Sequence, residues 1–213
     1  MIQAIAWSCA EHCGCLGSGQ APWKRPSPDL GSSDALAALV ARPLKHYPRL
    51  ALEWRYCLWA AGLALRATGW PNGGQEEIGM VGAGHDGFLE ADHRYFSDYV
   101  VNGRLIGRGN LFVLTLPTSA LSEVAIALGL TGPTLYIRYD AAPVAAMIRH
   151  GGELLEDGEA DGVLAIWSDR EAAACFALGH GAQPHASVAS LEDIERSPLE
   201  LARRWAAGIV AKD

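Results

Sequence analysis

Three things are missing from this chain, and each absence removes a class of function. There is no surplus of basic charge: the formal net charge is -7 and the pI about 5.5. A nucleic-acid binder needs clustered Lys and Arg to meet phosphates, so nucleic acid is not an expected partner. There is no long apolar run; the most apolar segment, residues 57–65, falls far short of the roughly 20 residues that cross a bilayer. The start Met1-Ile2-Gln3-Ala4 has no charged lead before an apolar stretch, so no secretory signal is read, and a soluble, cytoplasmic protein without a membrane partner is expected. Cysteine is sparse and odd in number, at positions 9, 13, 15, 57 and 175. Without a signal, that count argues for reduced thiols rather than a disulfide framework. Also missing are a G-x-S-x-G elbow, a Ser/His/Asp triad, internal repeats and low-complexity tracts.

What is present is a chain of 213 residues, half of them apolar, enough for one substantial core. A single domain over 1–213 is expected, with 190–213 as a C-terminal helical extension. Residues 2–7 suit a strand, and 8–31, rich in Gly, Pro and Ser, read as a long loop. Ser33 caps a brief helix over 34–40, which stops before Pro43. Leu50, Trp54, Cys57, Leu58, Ala61 and Leu65 recur at three- and four-residue intervals, giving a long helix with one broad apolar face, ended by Gly69. Residues 78–83 form a compact strand. The period of 88–101 is helical, with Glu90 and Asp92 early, where they complement the helix dipole. Strands are further expected at 111–116, 134–139, 163–167 and 172–178, and helices at 119–128, 140–155 and 198–210. Asp140 would cap the 140–155 helix and Pro143 fit its first turn. Alternating strands and helices followed by two adjacent strands point to an α/β fold, a parallel or mixed sheet covered by helices.

One stretch carries more than fold. Thr115-Leu116-Pro117 leads a helix to Gly129, Gly132-Pro133 opens the strand after it, and Gly158-Glu159-Ala160-Asp161 turns into the next strand. In order and spacing this resembles the nucleophile region of the β-ketoacyl synthases of the thiolase superfamily. The eighth residue after Pro133, where the resemblance places the nucleophilic cysteine, is Ala141, and alanine has no lone pair to attack a thioester. Its neighbour Asp140, and His85 at a strand end beside glycines, are the remaining polar candidates. The run Arg42-Pro43-Leu44-Lys45 is similar to the lead of short, N-terminal-domain-like proteins of the chain-length-factor-like group. The resemblance implies a thiolase-like half: a layered α/β domain with a mixed, mainly parallel five-stranded sheet. The half that supplies two histidines and a lysine in ketosynthases has no counterpart in this sequence.

From this resemblance follow the functional expectations. The chain would be a non-catalytic subunit for carrier-protein-bound acyl chains in fatty acid or polyketide/polyene biosynthesis, with no cofactor. Its partners would be an active ketosynthase subunit and an acyl carrier protein, or a second copy. The strand at 134–139 would form the interface through Thr134, Tyr136 and Arg138, and Arg138 would need a carboxylate if buried. An isolated half would also leave apolar surface uncovered, which favours association. Docking of an acidic carrier would use a local basic patch, either Arg42, Lys45 and Arg49 or Arg104 and Arg108.

Other readings stay open. An active acyltransferase could use an unorthodox residue, although Cys57 and Cys175 fall on apolar faces where a thiol is inert. Gly82, Gly84 and Gly87 satisfy the G-x-G-x-x-G dinucleotide pattern, without the acidic residue expected about twenty positions on. Cys9, His12, Cys13 and Cys15 supply soft ligands for a metal at a spacing that fits no common zinc knuckle.

Overall fold

The computed structural model describes residues 2–17, 23–27, 36–41, 44, 47, 50–70, 77–84, 89–105, 107–138 and 143–180. Their strands are β1 (Ile2–Cys9), β2 (His12–Gly17), β3 (Trp23–Pro26), β4 (Ile78–Gly84), β5 (Thr134–Tyr136), β6 (Gly162–Ser168) and β7 (Ala172–Gly179). The helices are α1 (Leu52–Thr68), α2 (Leu89–Val101), α3 (Gly109–Phe112), α4 (Pro117–Leu128) and α5 (Pro143–Glu156). All seven strands join one sheet in the order β3-β2-β1-β7-β6-β4-β5. Pairing is parallel between β4 and β5 and between β4 and β6, and antiparallel elsewhere. Two of the six pairings are parallel and four antiparallel, so the sheet is mixed, but it has seven strands and is not mainly parallel as expected: the β1–β2–β3 run and the β6–β7 hairpin add antiparallel ladders.

Five of the six expected strands are present, as β1, β4, β5, β6 and β7. Two more arise where a loop was expected, because residues 8–31 contain the antiparallel pair β2 and β3. Gly and Ser richness suggested a loop, yet Cys13 and Cys15 alternate with glycine and bury every second side chain against the core. Gly17 fits the same packing, since a Cβ there would meet the Ala67 carbonyl oxygen at 2.6 Å, so α1 crosses directly over the end of β2. A second correction concerns residues 111–116, which form α3 and a 3-10 turn (Val113–Thr115) rather than a strand. There the Phe112 ring makes an edge contact with Tyr95 at 5.7 Å, while Leu114 packs against the core. Pro117 then starts α4 at its first turn, two residues before the expected Ser119.

Helices cover both faces. On one, α1 and α4 pack over Ala6, Cys15, Ile166 and Cys175; on the other, α5 packs over Val81, Val163 and Phe176. α1 is buried nearly all round rather than on one face, from Trp54 to Ala67, and ends on Gly69 in the left-handed conformation. Trp59 Nε1 donates to the Tyr47 hydroxyl at 3.1 Å, satisfying both groups inside the core. On β1 and β7, Ile5, Trp7 and Phe176 are fully buried. Among the described residues the exposed large apolar side chains gather on α2 and residues 101–116, with Leu52 and Ile126 apart from them. The segment 190–213 lies outside the described residues.

Candidate functional site

The spaced motifs fall into place as connections around β4. Gly132 approaches β4 so closely that a Cβ would lie 2.6 Å from the Gly79 nitrogen, and Pro133 accepts a hydrogen bond from Met80 N at 2.8 Å. Only glycine fits this approach, and proline has no amide to leave unpaired. The Gly158–Asp161 turn closes α5, with Gly158 at φ 71. Asp161 then ties the turn to the start of β4, its amide donating to Glu77 O at 2.9 Å while its carboxylate accepts from Glu77 N at 2.8 Å. Together the two turns set β5, α5 and β6 against β4.

Ala141, the residue at which the resemblance calls for a nucleophile, lies in the sequence between β5 and α5. β5 pairs with β4 through Tyr136 and Gly82, and Ile137 N continues to Gly82 O at 2.8 Å. α5 begins at Pro143 and buries Val144, Met147 and Ile148 against the sheet. Asp140 and Ala141, like His85 at the end of β4, lie outside the described residues. β5 is an edge strand, with no neighbour on its outer side among the described residues.

Of the expected interface residues, Thr134 and Arg138 are exposed, so Arg138 needs no buried carboxylate. Tyr136 is half-buried and turned onto β4. A Cβ on Gly82 would lie 3.1 Å from its ring, and one on Gly84 would lie 2.9 Å from its hydroxyl and 2.5 Å from the Ser168 carbonyl oxygen. Gly82 also receives Leu121 of α4, whose Cδ1 would be 2.7 Å away. These two glycines make room for side chains of the fold itself, and Gly87 lies outside the described residues. Glycines two apart share a strand face and leave a slot, here filled by the ring from the next strand.

Beside Tyr136 lie Cys57 of α1 and Ser168 of β6. Burial pushes the Cys57 thiol up to about 12, only partly offset by the Ser168 hydroxyl, and burial followed by Cys57 raises Tyr136 to about 12. The Cys175 thiol is likewise raised well above its ordinary value, by burial and then by Cys57. A thiolate is the nucleophile, and thiols held neutral by burial in this way are inert. The strand alternation also breaks up the N-terminal cysteine cluster. Cys13 and Cys15 face α1, whereas Cys9 lies on the face of Ile5 and Trp7, its thiol donating to His12 O at 3.2 Å. Among the described residues no group of three or more His, Cys, Asp or Glu is placed to hold a metal.

The structure adds a feature that the sequence did not announce. A cavity of about 280 Å³ opens between the start of α1, α2 and α3, where Glu53, Glu90, Arg94 and Arg170 meet Leu111 and Leu114. Glu90 and Arg170 pair across it at 3.5 Å. Of the basic patches, Arg108 is engaged by Asp98 at 3.3 Å, while Arg42, Lys45 and Arg49 lie outside the described residues. No single helix among the described residues is long and apolar enough to cross a membrane.

No protein-family model matches the chain, and no curated protein matches it either. Solved structures do. A chain from the complex of a ketosynthase (ApeO) with its chain length factor (ApeC) from Xenorhabdus doucetiae superposes with a TM-score of 0.50 at 13% identity, over 75% of this chain and 76% of that one. The ishigamide ketosynthase/chain length factor gives a TM-score of 0.58 at 13% identity, over 74% of this chain and 49% of that one. The present chain thus spans about half the length of the second structure and is close in length to the first. At this identity the likeness shows the fold alone, a layered α/β arrangement similar to that of these ketosynthase/chain length factor structures.

Proposed function

We propose that this chain is a non-catalytic, chain-length-factor-like subunit that works beside an active ketosynthase on acyl chains held by a carrier protein. The pathway would be fatty acid or polyketide/polyene biosynthesis, in the cytoplasm. The observation that carries the reading is an alanine at 141, between β5 and α5 of a ketosynthase fold, where the resemblance calls for the attacking sulfur. Two further facts support it. The described thiols are all buried, so none is offered to a thioester. A chain of similar length and the same fold occurs in a ketosynthase–chain length factor complex.

On this reading the open edge of β5, with Thr134 and Arg138 exposed, is the side from which the synthase approaches. In that role the chain would shape a tunnel in which another subunit does the chemistry. Co-expression with an active ketosynthase tests this. The pair should co-purify, and the synthase should extend acyl thioesters to a defined length only in the presence of this chain. A synthase whose rate and product length ignore the chain would overturn the proposal.

A further inference from the structure

α2 is a helix of 13 residues with no buried side chain. A helix that short is marginal in water without packing, so its stability must come from its neighbours. One side has them: Tyr95 and Tyr99 stack at 6.4 Å, and Tyr95 meets Phe112. The other side carries Leu89, His93, Phe96 and Val100, spaced 4, 3 and 4 residues apart. That spacing is the seam of a helix pair, and here it is solvent-facing, with Leu89 43%, Phe96 61% and Val100 39% exposed. Val101 at the end of the helix and Leu105 just beyond it are more than four-fifths exposed. Monomeric proteins rarely leave such a contiguous apolar stripe in water.

We propose that this stripe packs antiparallel against the α2 helix of a second copy of this chain, about a two-fold axis near the middle of the helix. The spacing 4-3-4 reads the same in both directions, so an antiparallel copy sets Leu89 against Val100 of the second copy and His93 against Phe96 of the second copy. Charge follows the same rule. The first turn is acidic, with Glu90 and Asp92, the last turn has no base, and exposed Arg104 lies just past the end. Antiparallel packing brings the acidic start of one helix toward Arg104 of the other, whereas parallel packing would stack like charges. A two-fold contact needs such self-complementarity. The contact uses a surface other than the β5 edge, and its argument does not depend on the function proposed above.

Cross-linking of the full chain tests this. Leu89→Cys and Val100→Cys proteins, each pure, should form no interchain disulfide under mild oxidation, while an equal mixture of the two should. The five native cysteines are buried and give a low background. In parallel, Phe96→Asp should raise the dimer dissociation constant at least about tenfold in sedimentation analysis, with an unchanged circular dichroism spectrum. A monomeric native chain at tens of micromolar, cross-linking of either single variant with itself, or a dimer indifferent to Phe96→Asp would overturn the proposal.

Discussion

Tyr136 and Gly84 belong to neighbouring strands, and the hydroxyl of the first fills the space that a Cβ on the second would occupy, 2.9 Å away. The glycine therefore answers to a side chain of its own fold, and that gives it a measurable cost.

Gly84→Ala places a methyl group 2.5 Å from the backbone oxygen of Ser168, which cannot swing aside. The variant should lose about 1–3 kcal/mol in urea unfolding. Gly152, inside α5 with nothing within 4 Å of its Cβ position, is the counter-case. Gly152→Ala should gain about 0.5–1 kcal/mol, the ordinary benefit of alanine over glycine in a helix. A neutral Gly84→Ala that abolished binding of a dinucleotide would instead support a phosphate cradle at this strand end.

Stability should fall in alkali. Cys57 and Tyr136 are neutral below their pKa, and the fold raises both from 9.0 and 10.0 to about 12. Between those values the folded chain holds more protons than the unfolded one, so stability complete below about pH 9 is lost as pH rises toward 12. Urea midpoints at about pH 8 and 10.5 should show the drop. A Cys57→Ala, Tyr136→Phe double variant, though less stable at the lower pH, should show a shallower slope; an equal slope would remove these two groups as its cause.

All five thiols are buried in the native chain. Alkylation by iodoacetamide should be on the order of 100-fold slower in buffer than in denaturant, where all five should react. One cysteine labelled at the denatured rate in the native state would reveal an accessible thiol and reopen the case for an unorthodox nucleophile.

Much of this architecture could be read from residues alone, because its signals are local. Gly132-Pro133 and Gly158 mark turns whose backbone demands those residues, and the apolar repeat from Trp54 to Leu65 made α1 plain. Failures came where tertiary contacts decide. Cys13 and Cys15 looked like ligands in a loop, yet they are alternate buried positions of a strand under α1. Residues 111–116 are apolar enough for a strand, but Phe112 finds Tyr95 only in a helical turn. Gly82 and Gly84 matched a phosphate motif because the sequence does not show the ring that faces them. The seam on α2 was visible as a helical period; that it faces water could only be seen in the fold.

The proposed role requires that no residue of this chain take up an acyl group, and intact-mass spectrometry tests that directly. The purified chain is incubated with malonyl and medium-chain acyl carrier-protein thioesters, with and without an active synthase. Its mass should stay unchanged in every arm, while the synthase gains one acyl group. A covalent acyl adduct on this chain that disappears when a single cysteine is replaced would contradict the account.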